Sequence, residues 1–161
     1  MKKSPRVCTI LLTVSLTLLG CSAEQLPDGM PELQPLTIEI VQGGTPLEGA
    51  SVQLIPQDAA NTWASGGSTD PRGQAEIMTM GKYRGAPVGT YKVTIDKFLN
   101  DGPAAAMDDP SGGTAPTSYR LVDPQFSRAD TTTAEITVAK GETNQATIDI
   151  GDAVKIKLPA L

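Results

Sequence analysis

Apolar and polar residues alternate with a period of two in short runs, and each run ends in a Gly, Pro or Asp cluster. Leu36, Ile38 and Ile40 interleave with Thr37 and Glu39; Ala50, Val52 and Leu54 with Ser51 and Gln53; Tyr91, Val93 and Ile95 with Lys92, Thr94 and Asp96. Ala134, Ile136 and Val138 repeat the pattern, as do Ala146, Ile148 and Ile150. A strand places alternate side chains on opposite faces, so this spacing suits half-buried strands and cannot build a helical stripe. With 16 glycines, 13 prolines and only 4% aromatic residues, the composition also favours many turns over long helices. The expected fold is an all-β, antiparallel sandwich that begins near Leu36.

Local signals refine this expectation. Residues 36–40 and 50–54 read as one hairpin, and residues 134–138 and 146–150 as a final one. Asp70-Pro71-Arg72-Gly73 has the Pro and Gly placement of a type I turn. Trp63 to Thr69 forms a weaker strand, Tyr119 to Phe126 resumes order, and Asn100 to Thr117 lacks any period and reads as a long surface loop. The 153–161 tail offers an edge strand at Val154, Ile156 and Leu158, guarded by Lys155 and Lys157.

The N-terminal segment has a different logic. Met1 to Arg6 holds three positive charges and Val7 to Gly20 is apolar, matching the n- and h-regions of a secretory signal over 1–20. A largely apolar run of 14 residues is too short for a permanent membrane span. Leu18-Leu19-Gly20-Cys21 resembles the bacterial lipobox, which implies cleavage between Gly20 and Cys21, diacylglyceryl transfer to the Cys21 thiol, and a membrane-lipid partner. Several acyl chains at about 0.8 kcal/mol per methylene would make the anchoring permanent. By analogy with diderm sorting, Ser22 implies the outer membrane as destination. Residues 21–35, with Pro27, Pro31 and Pro35, read as a tether.

Composition excludes several function classes. Removing Lys2, Lys3 and Arg6 with the leader leaves 10 basic against 18 acidic residues, a balance of −8 that disfavours nucleic acid. Histidine is absent, and Cys8 leaves with the leader, so the neutral-pH base and the usual zinc, haem and iron–sulfur ligands are missing; no cofactor is expected.

Three motifs occur in order: Gly44-Thr45-Pro46-Leu47-Glu48-Gly49-Ala50-Ser51-Val52, Thr69-Asp70-Pro71-Arg72-Gly73-Gln74-Ala75, and Gly85-Ala86-Pro87-Val88-Gly89-Thr90-Tyr91-Lys92-Val93. Together they resemble carboxypeptidase regulatory-like, transthyretin-like domains, and the whole is similar to bacterial lipoproteins that carry one such domain behind a lipobox. The resemblance covers 36–152 and implies an all-β, antiparallel, seven-stranded sandwich with an accessory, adhesive or scaffolding role; it transfers no catalytic residue. Ala75 departs from the large apolar residue usual there and predicts a locally thin core.

The expected function is a noncatalytic binding or structural module of the cell envelope with a protein or glycan partner. Trp63 beside Gly66-Gly67, with Tyr83 and Arg84, would make a sugar-stacking patch; the blander role for Trp63 is to cover the core edge. Hydroxyisourate hydrolases share the transthyretin fold but use histidines and a C-terminal Tyr-Arg-Gly-Ser, whereas Tyr83-Arg84-Gly85 here is internal and followed by Ala86. Asp101, Asp108 and Asp109 supply oxygen ligands suited to calcium, though at no EF-hand spacing.

Overall fold

A computed structural model describes residues 26–102 and 117–159. The leader, Gly20, Cys21, Asp108 and Asp109 lie outside the described residues. In chain order the strands are β1 (Leu33–Gln34), β2 (Leu36–Gln42), β3 (Thr45–Pro46), β4 (Ser51–Pro56), β5 (Ser65–Ser68), β6 (Gln74–Glu76), β7 (Met78–Thr79) and β8 (Tyr83–Arg84). There follow β9 (Ala86–Pro87), β10 (Gly89–Asp96), β11 (Phe98–Asp101), β12 (Thr117–Arg120), a 3-10 turn at Pro124–Ser127, β13 (Glu135–Val138), β14 (Asn144–Asp149) and β15 (Ile156–Lys157).

The fold is an all-β sandwich. One sheet runs β13-β10-β4-β5-β7-β8, and the other runs β14-β2-β3 with β6 also on β2. The alternating residues meet between them: Ile38, Ile40, Val52, Tyr91, Val93, Ile95 and Val138 are fully buried, with Leu36, Leu54 and Ile150 nearly so. Each large aliphatic side chain removed from water contributes about 1.5–3 kcal/mol, which is what holds the layers together. Phe126 caps one end from the 3-10 turn, whose first backbone N–H is met by the Asp123 carboxylate at 2.9 Å.

Both expected hairpins prove to be crossings between the sheets. After β2 the chain folds briefly back as β3, then crosses at Leu47–Ala50. There the Thr69 hydroxyl donates to the Leu47 carbonyl (2.6 Å) and accepts from the Ala50 N–H (2.8 Å), so β4 starts in the opposite sheet. At the other end, β13 pairs with β10 whereas β14 crosses and lies parallel to β2, with Ala146 opposite Ile38. The sandwich is therefore antiparallel except for this pair. Asn144 fixes the crossing: its Oδ1 accepts from Ala139 N–H (2.8 Å) and its Nδ2 donates to the Ala139 and Glu142 carbonyls (both 3.1 Å).

Other boundaries also shift. The end of the expected tether belongs to the domain, because β1 pairs with β9 and Gln34 is buried, its Oε1 accepting from the Gly141 N–H at 2.8 Å. The expected loop is strand at both ends, Asn100 and Asp101 pairing with Ser118 and Thr117 in the β11–β12 hairpin, which β15 extends through Tyr119 and Arg120. Ala75 does not thin the core. It is fully buried opposite Gly67, where an added Cβ would come within 2.5 Å of the Glu76 carbonyl, so small residues let β5 and β6 approach.

In the Asp70–Gly73 turn, the Asp70 carboxylate accepts from the N–H groups of Arg72 and Gln74, both at 2.9 Å. The Gln74 N–H, with further help from Arg72, holds the carboxyl below the usual Asp range. Gly73 closes the turn at φ +74°, and a Cβ there would sit 2.7 Å from the Ile40 carbonyl.

Candidate binding cleft around Trp63

The outer face of β4 and β5 carries an open trough. Because Val52 and Leu54 point inward, Ser51, Gln53 and Ile55 point out, and register sets Gly66 between Gln53 and Met78. Gly66 leaves a gap in that row, and strand spacing forbids filling it, since a Cβ would come within 2.6 Å of the Val52 carbonyl. The resulting concavity, of about 590 Å3, is bordered by Ile55, Asn61, Trp63, Met78 and Met80. Its lining contains hydroxyl, amide and apolar side chains and no charged one.

A second concavity of about 490 Å3 also includes Asn61 and Trp63, together with Glu32, Asp58, Val88 and Lys140. Trp63 thus stands at the partition between two lobes, one neutral and one charged. In the charged lobe Lys140 Nζ lies 3.2 Å from Glu32, and this hydrogen-bonded ammonium holds the Glu32 carboxyl below its ordinary range.

The Trp63 segment is positioned from the core outward. The Tyr91 hydroxyl, fully buried, donates to the Pro87 carbonyl (2.7 Å) and accepts from Asn61 Nδ2 (2.8 Å), and Asn61 Oδ1 in turn accepts from the Trp63 N–H (3.2 Å). Burial pushes the phenol pKa up against the Asn61 hydrogen bond, keeping it protonated as the chain requires. On the following strand the buried hydroxyls of Ser65 and Thr79 pair at 2.8 Å, and Thr79 also donates to the Gly85 carbonyl at 2.7 Å. Trp63 itself is half-buried and borders both lobes.

Tyr83 and Arg84 stand elsewhere. They form β8, the edge strand two places from β5, and line neither lobe. Arg84 pairs with Glu76, while Lys82 Nζ sits 4.6 Å above the Tyr83 ring. The expected sugar-stacking patch joined them to Trp63, whereas the two concavities that Trp63 borders are lined by other residues. The sequence reading missed Asn61, Ile55, Met78 and Met80. Ile55 was legible as an apolar residue on the polar face of β4, and Met80-Gly81 as an apolar residue in a tight turn.

Asp101, from the candidate calcium cluster, lies on β11 with Lys155 Nζ 4.0 Å away. Among the described residues no group of three His, Cys, Asp or Glu side chains is arranged to hold a metal.

No protein-family model matches this sequence, and no curated protein is significantly similar to it. Among solved structures, the major pilin subunit of Bacillus cereus is similar at 14% identity and a TM-score of 0.40, over 74% of this chain and 30% of the pilin. A 9R-lipoxygenase from Cyanothece PCC8801 is similar at 15% identity and a TM-score of 0.36, over 80% of this chain and 18% of the enzyme. The chain spans less than a third of either protein's length, and at these scores neither likeness carries a functional argument.

Proposed function

We propose that this chain is a lipoprotein of the bacterial cell envelope, acylated at Cys21, whose carboxypeptidase regulatory-like, transthyretin-like sandwich binds a saccharide chain in the cleft around Trp63 without catalysing a reaction. The localisation rests on the charged n-region, the short apolar run and Leu18-Leu19-Gly20-Cys21, with Ser22 favouring the outer membrane. The observation that carries the binding reading is a half-buried indole at the partition of two open lobes, one floored by Ser51, Gln53 and Gly66. A pyranose presents an apolar face and hydroxyl edges, and such a floor matches both. A glycan ligand also fits an acidic chain that repels polyanions.

Two measurements test the two halves. Labelling cells with an alkyne palmitate analogue should mark the wild type and not Cys21→Ser; label retained in the mutant ends the lipoprotein assignment. Calorimetric titration with neutral hexasaccharides should give saturable heat that Trp63→Ala weakens by about thirtyfold, the scale of a 2 kcal/mol hot spot. Unaltered affinity in a folded Trp63→Ala chain would remove the cleft from the function.

A further inference from the structure

The turn joining β7 to β8 breaks a local rule at the edge of the neutral lobe. Both of its central residues, Met80 and Gly81, have positive φ (55° and 67°), and the Lys82 N–H returns to the Thr79 carbonyl at 3.2 Å. Tight hairpin turns of this kind favour Asn-Gly, because Asn tolerates the left-handed region and a larger side chain does not. Met80 is the one non-glycine residue with positive φ among the described residues, and it is 57% exposed. Its side chain therefore gains little from packing in return for an unfavourable backbone, which is the pattern of a residue kept for contact with something else.

The turn is also tied to the segment that carries Trp63. The Met80 N–H donates to the carbonyl of Ala64, the residue after Trp63, at 2.7 Å, and the Ser65–Thr79 hydroxyl pair lies directly behind. Met80 and Trp63 are thus held on one rim, and a methionine thioether adapts to irregular surfaces better than a branched side chain does. The charge-free lining adds the second element, since a charged ligand would lose hydration there and find no partner.

Resting on the saccharide reading above, we propose that Met80 is a ligand-contacting residue held in a strained turn, and that the lobe it borders selects an uncharged saccharide over an anionic one.

The test uses the full chain in detergent micelles. Trp63 is its single tryptophan, so emission excited selectively in the indole, beyond tyrosine absorption, reports the cleft. Cellohexaose, the N-acetylglucosamine hexamer and hexagalacturonate serve as probes. The neutral hexamers should shift the emission saturably and hexagalacturonate should not. Met80→Asn should melt about 2–4 °C higher through relief of the left-handed strain. It should also bind the neutral hexamers about tenfold more weakly through loss of the apolar contact. Met80→Leu, which keeps apolar bulk on the same backbone, should stay within about threefold of the wild type.

Wild-type affinity in Met80→Asn would overturn the inference and leave the saccharide reading standing, and failure of Met80→Asn to melt higher would overturn the strain it rests on. Equal binding of hexagalacturonate would overturn the selection for neutral sugars. No saturable response to any of the three, or saturation by an apolar hexapeptide in their place, would overturn both readings.

Discussion

Two regions of this sandwich expose large apolar side chains, and they treat them in opposite ways. Around the lobes Ile55, Met80 and Val88 are exposed, and along the β11–β12–β15 sheet Phe98, Leu99 and Ile156 are. The second region screens its aromatic surface with cations: Arg120 lies 5.3 Å above the Phe98 ring, Lys155 lies 4.2 Å above Tyr119, and Asp96 lies 3.6 Å from Arg120. The neutral lobe has no such cover, and its polar groups are amides and hydroxyls that can meet a ligand. Exposed apolar area beneath charged groups is a solubility device on an edge sheet, whereas exposed apolar area among uncharged donors in a concavity is what a recognition surface requires.

The sharpest way to break this contrast lies in two adjacent residues of β4. Leu54 faces inward and is 2% exposed, so Leu54→Ala should cost about 3 kcal/mol in urea unfolding. Ile55 faces out at 36% exposure; Ile55→Ala should cost no more than about 1 kcal/mol yet weaken saccharide binding about fivefold. As a control from the screened sheet, Phe98→Ala should cost less than about 1 kcal/mol and leave binding unchanged. Should Phe98→Ala weaken binding as much as Ile55→Ala does, the two regions do not differ in the way argued.

A smaller effect tests the rim. Thr79→Val keeps the shape but leaves the Gly85 carbonyl and the Ser65 hydroxyl without their buried partner, at a cost of about 2 kcal/mol. Because this pair ties the strand after Trp63 to the strand before Met80, affinity for neutral hexamers should fall along with stability. Stability lost at constant affinity would show that the rim does not need the tie.

The inner face of this fold was legible in the sequence because alternation states which way a side chain points. Leu36, Ile38, Ile40, Tyr91, Val93 and Ile95 all lie where a period of two puts them. Alternation says nothing about which strand is the neighbour. That is decided at the crossings, where Thr69 and Asn144 hold the chain with hydrogen bonds to residues that look like ordinary turn material. Trp63 was legible as a lone aromatic beside Gly66-Gly67, but its companions come from β4 and β7, brought beside it by sheet order, while Tyr83 and Arg84 sit on the edge strand β8 and line neither lobe. Met80-Gly81 carries a turn signal in the sequence, but the left-handed angle that sets Met80 apart is a property of the backbone and is not written there.

The pH dependence of binding separates the two lobes at the lowest cost in perturbation. No group lining the neutral lobe titrates between pH 5 and 9, so affinity for cellohexaose should be flat across that range. In the second lobe Glu32 is held below the ordinary Glu range by Lys140, so the pair is intact throughout it. For a carboxyl with a lowered folded pKa, the stabilising contribution is fully present above the unfolded value and is lost as pH falls through the folded one. Any dependence contributed by the Glu32–Lys140 wall should therefore appear only below the usual carboxylate range, and Glu32→Gln should abolish it. A slope between pH 6 and 9 that Glu32→Gln leaves in place would mean that a charged group outside both lobes takes part in recognition, and the contrast between screened and unscreened apolar surface would have to be redrawn around that group.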